Sequence, residues 1–366
     1  MMLKKYNNQY SKLTRTFMEK LIEANPDSNM IFSPYSLIML LGMAAHATDG
    51  KTRSEIMNTI APGFQWKEIE ELMTELKKIQ KANDQLTSSN AVCVRSNYAE
   101  TIKKDYCREL DHIFDGRVFA SDDIAGDVNR WVKEHTKGMI KEILDEKDTA
   151  DILACLANAV SFIAEWKKEY EEYQVSEMDF QNADGTESTV PALDSSENLY
   201  VEDAFFRGFL KPYKDSKYCF MALLPRKEGK EYLQKGLKQI DFNKLYERIQ
   251  SHKVYATIPE FECSMIQDMT EICQKLGIKD IFEDDADFFN ISTANLKASN
   301  ILHKACIKVD RMGTRAAAVS IMNVMAGSAP NFFEEIIDIT LDRPFAYAIV
   351  HTETGLPIFV GQVNNL

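Results

Sequence analysis

The residue types that could carry catalysis do not form a catalytic pattern in this sequence. It contains no Gly-x-Ser-x-Gly elbow, no His-Glu-x-x-His zinc motif and no Gly-x-Gly-x-x-Gly loop. DGKTRS (Asp49–Ser54) includes the Gly-Lys-Thr of a phosphate loop, but the residues before it, AAHAT, read as helix. His303 falls on the apolar face of an alternating strand, where a lone histidine is more often a hydrogen-bonded core residue than a catalyst. We therefore expect that the protein is not an enzyme.

One segment near the C-terminus departs from ordinary strand composition. From Gly313 to Pro330 the chain reads GTRAAAVSIMNVMAGSAP, and Arg315 is its only charged residue. Val319 and Ile321 favour a strand, whereas the alanines around them give a sheet little to pack against. The composition fits neither an ordinary core strand nor an ordinary loop.

The elements that surround this segment change character along the chain. Residues 1–150 are mostly helical in pattern, with amphipathic helices predicted near 66–80, 100–110 and 122–142. Residues 151–366 are richer in short segments of β-branched and aromatic residues separated by turns. No linker divides the two parts, so the sequence predicts one α+β domain.

Composition excludes several classes of partner. The 366 residues are 45% hydrophobic and 27% charged, as in an ordinary soluble globular protein. A formal net charge of -13 argues against nucleic acid, which binds clustered positive surfaces. The sequence contains no apolar run of about 18 residues, which is the length that a membrane-spanning helix needs. The seven cysteines lie far apart without metal-binding spacing, so we expect free thiols and neither a metal nor another cofactor.

The N-terminal sequence is compatible with two cellular locations. MMLKKYNNQYSKL has a basic start but no apolar run, so it is not a signal peptide. We expect an extracellular or cell-surface protein if a leader has been removed, and a cytoplasmic protein if Met1 is the native start.

Six segments together resemble the serpin family of serine protease inhibitors, and they occur in the family's order. They are NMIFSPYSLIMLLGMAAHATDGKTRSEI, VNRWVKEHTKGMIKEIL, LANAVSFIAEWKKEY, ILHKACIKV, GTRAAAV and DRPFAYAIVHTETGLPIFVGQVN. The resemblance covers essentially the whole chain. It implies a single domain over 1–366, the serpin fold, with three β-sheets, eight or nine helices and an exposed reactive loop at about 311–343.

The resemblance also implies a function and an alternative to it. By family analogy the protein is a suicide inhibitor: a serine protease cleaves the loop, forms a covalent acyl complex, and is trapped when the loop enters the main sheet as a new middle strand. The alternative is a non-inhibitory binding or carrier protein with the same fold. We expect a monomer whose partner is the target protease.

The family hinge falls at the start of the small-residue segment. Side chains alternate across a strand, so Thr314, Ala316 and Ala318 share one face and Arg315 lies on the other. The resemblance implies that the first face turns into the sheet, which leaves Arg315 on the solvent side. The resemblance assigns as hinge residues Gly313, Thr314, Ala316, Ala317 and Ala318.

Counting from the hinge by the family's spacing puts the reactive bond at Gly327–Ser328, with Ala326 and Met325 as neighbouring candidates. Counting back from Arg343–Pro344 gives a different answer near Phe332–Phe333.

Residue types around these bonds favour one class of protease. No lysine or arginine lies between Arg315 and Arg343, which argues against a trypsin-like target. Small apolar residues suit an elastase-like or subtilisin-like specificity pocket. A chymotrypsin-like target, through Met325 or Phe332, is the alternative.

Two further groups of residues are implied by the resemblance. One is a polar cluster beneath the main sheet, whose members must pair with one another while the sheet is closed. It consists of Ser33, Ser36, Asn158 and His303. The other is a departure from the family: where many relatives have an acid and a lysine, this chain has Arg311 and Glu260. We predict that these two residues form the same ion pair with its charges reversed, at the top of the sheet near Trp166.

The segment QWKEIEELMTELKK corresponds to the helix that carries basic residues in heparin-dependent relatives. It contains four glutamates. We therefore expect no glycosaminoglycan cofactor.

Overall fold

The computed structural model describes residues 3–136, 138, 140–145, 154–314 and 336–366. Within these ranges it is an α+β structure, as predicted. No helix in them combines the length and the apolar character that a membrane crossing requires.

The described residues form nine α-helices, six of which precede residue 136. They are α1 (Asn7–Ala24), α2 (Pro34–Ala47), α3 (Gly50–Ile60), α4 (Trp66–Lys81), α5 (Lys104–Phe114), α6 (Ile124–His135), α7 (Lys230–Leu237), α8 (Phe242–Tyr246) and α9 (Thr270–Lys275).

Sixteen strands lie in the same ranges, most of them after residue 154. They are β1 (Met30–Phe32), β2 (Leu86–Arg95), β3 (Gly116–Ser121), β4 (Ala154–Phe162), β5 (Ala164–Glu165), β6 (Val175–Gln181), β7 (Glu187–Glu202), β8 (Phe206–Pro212), β9 (Tyr218–Pro225), β10 (Gln250–Pro259), β11 (Phe261–Asp268), β12 (Ala298–Asp310), β13 (Gly313–Thr314), β14 (Ile337–Thr340), β15 (Phe345–His351) and β16 (Leu356–Val363).

The chain groups into two compact units, each assembled from separate stretches. The first comprises the described parts of Met1–Ala24, Ile31–Phe162 and Ser264–Cys306. The second comprises Asn25–Met30, Ile163–Cys263 and the described parts of Ile307–Leu366.

In the first unit, β2 pairs antiparallel with β4 and parallel with β3, and β4 pairs parallel with β12. Helix α6 begins at Asp123, whose carboxylate caps the amide of Gly126. Its apolar stripe, including Val128 and Val132, packs on buried small residues of β2 and β4 such as Ala91 and Ala157. A helix was predicted near residues 122–142, and α6 lies within that range.

Helix α2 in the same unit is buried along its whole length, as its nearly continuous apolar sequence predicts. It begins where Ser33 accepts a hydrogen bond from the amide of Ser36 and Pro34 occupies the first turn. This cap fixes both serines at the buried end of the helix.

In the second unit, strands follow one another in the order β16, β15, β9, β8, β7, β10 and β14, and β6 also pairs with β7. The long strand β7 therefore joins two groups, one containing β8, β9, β15 and β16 and the other containing β6, β10 and β14. Together with the sheet of the first unit, these two groups make three groups of strands among the described residues.

Candidate functional site

Strand β12 changes partner along its length. Its first part pairs parallel and directly with β4, from Ala298 opposite Ala154 to Lys304 opposite Ala159. No other strand lies between β4 and β12 over these residues, so this part of the sheet is closed.

The predicted polar cluster lies where β4 and β12 meet. Asn158 and His303 are register partners across the two strands, and the buried end of α2 brings Ser33 and Ser36 to them. At most 1% of each of these four residues is exposed to solvent. The structure thus brings all four together.

Hydrogen bonds run through the cluster in one direction. The amide of Ser33 donates to Nε2 of His303 at 3.1 Å, so Nε2 must be an unprotonated acceptor. The proton of the neutral ring is then on Nδ1, which faces Oγ of Ser36 at 3.4 Å. The Ser36 hydroxyl donates in turn to Oδ1 of Asn158.

Burial reinforces this neutral form, because a buried imidazolium would lack solvation. It lowers the pKa of His303 to about 4. The cluster is therefore uncharged at neutral pH.

Two members of the network were missed by the sequence analysis. The amide nitrogen of Asn158 donates to Oδ1 of Asn90 at 2.7 Å and to Oγ of Ser88 at 3.3 Å. Both residues are buried in β2, and Asn90 is the register partner of Asn158. Their spacing of two residues puts them on one face of the strand, which was the available signal.

Two of the predicted hinge residues, Gly313 and Thr314, lie inside a sheet. Beyond Asp310 the chain turns back, and β13 pairs antiparallel with Val309 and Asp310 of β12. On its other side, β13 pairs antiparallel with β5, through Gly313 opposite Glu165 and Thr314 opposite Ala164. β13 therefore occupies the place of a strand between β12 and β5.

Thr314 is fully buried, and its hydroxyl lies 2.6 Å from the hydroxyl of Tyr213. The Tyr213 ring stacks on Trp166 with 4.7 Å between ring centroids. The indole of Trp166 donates to the carbonyl of Asp310 at 2.9 Å, and its backbone amide donates to the carbonyl of Met312 at 3.0 Å. Trp166 thus holds the turn that leads into β13.

Glycine is required at position 313 by the approach of two backbones. A Cβ atom there would lie 2.1 Å from the carbonyl oxygen of Ala164 and 2.8 Å from Cα of Glu165. Both are backbone atoms, so no side-chain rotation could relieve the overlap.

Arg311 and Glu260 are neighbours, but their contact differs in kind from the predicted ion pair. The backbone amide of Arg311 donates to Oε1 of Glu260 at 3.0 Å. The contact therefore uses the main chain of Arg311 and does not depend on its guanidinium charge.

The remaining predicted site residues lie outside the described residues. They are the hinge residues Ala316, Ala317 and Ala318 and the reactive-bond candidates Met325, Ala326, Gly327, Ser328, Phe332 and Phe333.

Comparisons with known proteins agree with this architecture. A family model described as serpin (serine protease inhibitor) matches residues 8–366. Iripin-1 of Ixodes ricinus is 28% identical, over 98% of this chain and 94% of its own length. The thermophilic serpin tengpin in its native state is similar in structure, with a TM-score of 0.87 and 30% identity over 99% of this chain and 94% of its own.

Native protease nexin-1, solved with heparin, has a TM-score of 0.86 and 25% identity, over 99% of each chain. The chain belongs to the serpin family, and its structure is the serpin fold. Members of this family are in general protease inhibitors rather than enzymes, and their partners are proteases.

Proposed function

We propose that the protein is a suicide inhibitor of serine proteases with a small apolar specificity pocket, of the elastase or subtilisin type. The protease would attack a bond of the loop and become joined to it as an acyl-enzyme. The severed loop would then enter the sheet between β12 and β5 and continue between β12 and β4, before water releases the protease.

The observation that carries this proposal is the position of β13. Gly313 and Thr314 already lie antiparallel between β12 and β5, which is the geometry of a new middle strand. Farther along β12, direct pairing with β4 closes the path that the following residues would take. In this proposal Gly313 and Thr314 begin the new strand, and β4 and β12 must separate before the following residues can join it.

Insertion would be strongly favourable once the path opens. Each ladder hydrogen bond contributes about 0.5 to 1.5 kcal/mol net, so a strand of roughly twelve residues bonded on both edges gains on the order of ten kcal/mol. A waiting state that forgoes this gain must be held by a barrier, which is kinetic stability.

The polar cluster supplies part of that barrier. Asn158 and His303 stand opposite each other on the two strands that must part, and both are held in the shared network with Ser36. Separating them costs about 1 to 3 kcal/mol for each buried group left without a partner. New partners on the inserted strand would restore these bonds.

Specificity follows from the residues around the bond that the family spacing selects. The sequence from Val324 to Ser328 is VMAGS, which a shallow apolar pocket accepts and a deep anionic pocket does not. A chymotrypsin-like protease acting at Met325 or Phe332 is the second candidate target.

The test is to mix the protein with pancreatic elastase and with subtilisin and to examine the products by denaturing electrophoresis. We expect a complex that survives SDS and runs near the summed masses. Trypsin should give no such complex.

Thr314→Arg is the informative variant, because position 314 is fully buried and a charged side chain cannot enter there. We expect it to be cleaved without forming complex. The matched control is Thr189→Arg, which makes the same change at an exposed position of β7 and should leave complex formation intact. Clean cleavage of the unmodified protein by every protease would instead favour the carrier function.

We also propose that no glycosaminoglycan cofactor is needed, although protease nexin-1 was solved with heparin. Helix α4 has four glutamates, and three of its lysines already have acceptors. Lys77 donates to the carbonyl of Asp111, Lys78 pairs with Glu75, and Lys81 pairs with Asp115. Rates of protease inhibition should not rise when heparin is added.

A further inference from the structure

Cys93 and Cys155 stand opposite each other on two strands of the first unit. They are register partners in the antiparallel pairing of β2 with β4. Side chains at directly opposite positions of an antiparallel pair lie on the same face of the sheet. Both residues belong to the buried cluster that packs against α6 and includes Val128 and Val132. The two thiol side chains are therefore neighbours on the face that α6 covers.

The separation of their backbones suits a disulfide bond. Opposite residues of an antiparallel pair have Cα atoms about 4.5 to 5.5 Å apart, according to whether the pair is hydrogen-bonded. Disulfide-bonded cysteines have Cα atoms about 4.4 to 6.8 Å apart, so both kinds of pair fall within the required range. A bond between the two sulfurs thus needs a change of side-chain rotamer rather than a shift of the strands.

Small neighbours leave room for that change of rotamer. The next register pair on the same face is Ala91 opposite Ala157. Both alanines belong to the same buried cluster, and neither has side-chain atoms beyond Cβ. On this side of the two cysteines, the sulfurs can approach each other without displacing a large side chain of β2 or β4.

A third thiol beside the cluster, Cys306, is out of reach. It packs against the cluster from β12. The register partner of Cys155 on β12 is Asn300, and Cys306 lies six residues farther along that strand. At about 3.3 Å per residue, Cys306 is roughly 20 Å from Cys155, and cysteines with Cα atoms more than about 7 Å apart cannot be bridged without backbone movement. The geometry therefore selects Cys93 as the partner of Cys155.

Burial determines when the bond can form. Both residues are 0% exposed, and burial raises the pKa of each thiol to about 12. Only a thiolate attacks a disulfide, so the folded protein offers almost no nucleophile at neutral pH. In an unfolded chain a cysteine is accessible and has a pKa of about 8.5. Oxidation therefore takes place before the cluster closes, and the same burial then shields the bond from reductants.

We propose that Cys93 and Cys155 form a disulfide when the chain folds in the presence of a disulfide oxidant such as glutathione disulfide. The thiolate of one cysteine attacks the oxidant and releases one glutathione thiolate, which leaves a mixed disulfide on the protein. The thiolate of the second cysteine attacks the protein sulfur of that mixed disulfide and releases the second glutathione. The two protein thiols lose two electrons and two protons, and the glutathione disulfide becomes two glutathione thiols.

The crosslink joins β2 to β4 and does not involve β12. Strand β4 pairs with β2 through one edge and with β12 through the other. The proposed insertion parts β4 from β12, so the disulfide should not prevent it, and this inference does not depend on the proposed inhibition. The crosslink should stabilise the folded protein, because it closes a loop of about 60 residues in the unfolded chain.

The experiment compares two preparations of the full chain. One is refolded from urea at pH 8 with reduced and oxidised glutathione, and the other is refolded with dithiothreitol. Each is alkylated in denaturant, digested without reductant and analysed by mass spectrometry. We expect a crosslinked peptide pair containing Cys93 and Cys155 in the first preparation alone, so that two of the seven cysteines escape alkylation there. Chain synthesised with glutathione disulfide present should contain the same peptide pair, which makes the result independent of the refolding yield.

The stability of the two preparations gives a second readout. The midpoint of urea denaturation should be about 1 M higher for the oxidised preparation than for the reduced one, because the crosslink restricts the unfolded chain. Exposure of the folded oxidised protein to dithiothreitol should leave the crosslinked peptide intact, since the bond is buried. The same reductant in urea should remove it.

Variants identify the pair. Cys93→Ala should remove both the crosslinked peptide and the difference in urea midpoint, and Cys155→Ala should do the same. The matched control is Cys273→Ala, which removes another fully buried thiol of the first unit. This control should retain the peptide and the difference in midpoint.

Three results would overturn the proposal. One is the absence of the Cys93–Cys155 peptide both from protein refolded with the oxidant and from protein synthesised with it. Another is a main crosslink that joins either cysteine to a different partner, such as Cys306. The last is a difference in urea midpoint that persists in Cys93→Ala, because another pair of cysteines would then be its cause.

Discussion

The hydroxyls of Tyr213 and Thr314 lie 2.6 Å apart in a fully buried contact between β13 and the residue that follows β8. Tyr213 is in turn stacked on Trp166, which holds the carbonyls of Asp310 and Met312. One buried hydrogen bond thus joins Thr314 to a pair of stacked aromatic rings.

Tyr213→Phe should therefore weaken the attachment of β13 to the sheet. It removes the hydroxyl and leaves Thr314 buried without its partner, which costs about 1 to 3 kcal/mol. We expect the free energy of unfolding to fall by that amount in urea denaturation. Tyr232→Phe is the control, because the Tyr232 hydroxyl makes an exposed bond of 3.3 Å and its loss should cost less than about 0.5 kcal/mol. Equal effects of the two changes would contradict the structure.

Gly313→Ala should displace β13 from the sheet. The new Cβ would meet the carbonyl oxygen of Ala164 at 2.1 Å, so β13 cannot keep its pairing with β5. We expect faster amide hydrogen exchange at residues 313 and 314. Exchange in β4 should stay unchanged, because that strand pairs with β12 elsewhere. Unaltered exchange at the amides of Gly313 and Thr314 would show that the backbones of β13 and β5 can move apart while β13 stays in the sheet.

Much of the fold could be predicted from periodicity alone. Helices were predicted near 66–80 and 122–142, and α4 and α6 lie there. The prediction near 100–110 was less accurate: residues Ser96–Thr101 form a 3-10 helix and α5 begins at Lys104. The hydrophobic pattern of a sequence locates the apolar face of a helix, but it does not determine where a 3-10 helix gives way to an α-helix.

The site was less predictable, because its contacts join distant parts of the chain. Nothing in the sequence near Thr314 indicates that Tyr213 is its partner. Ser88 and Asn90 carry a polar pattern, but only the pairing of β2 with β4 shows that Asn158 needs them. For Arg311 the residue types predicted a bond between charged side chains, whereas Glu260 accepts from the main chain.

The His303 network should make stability depend on pH. Burial lowers its pKa from 6.5 to about 4, so the unfolded chain binds a proton at a higher pH than the folded protein does. The stabilising contribution is complete above about pH 6.5 and is lost as the pH falls toward 4. Between pH 7.5 and pH 5 the loss from this residue is about 2 kcal/mol.

His303→Gln isolates that contribution from other buried histidines. The pKa of His46 is also lowered to about 4, so the unmodified protein loses stability from more than one residue. The measurement is urea denaturation at both pH values. The variant should lose about 2 kcal/mol less than the unmodified protein over this interval. An equal loss of unfolding free energy in the variant and in the unmodified protein would mean that residues other than His303 cause the pH dependence.

The buried ion pair of Lys211 and Glu197 should be stabilising only as a pair. Lys211 Nζ lies 2.9 Å from Glu197 Oε1, and the side chains are 3% and 12% exposed. Its ammonium also lies 4.1 Å from the centre of the Tyr170 ring. Desolvation lowers the pKa of Lys211, whereas Glu197 opposes that shift.

Glu197→Ala should therefore cost about 3 to 5 kcal/mol, because it leaves a buried charge without a partner. Adding Lys211→Met should restore most of that loss, since an apolar side chain of similar length needs no counter-charge. A double-mutant cycle in urea measures the coupling. Additive effects of the two substitutions would mean that Lys211 binds another acceptor or water when Glu197 is absent. The ion pair would then not be what stabilises the fold beside Trp166.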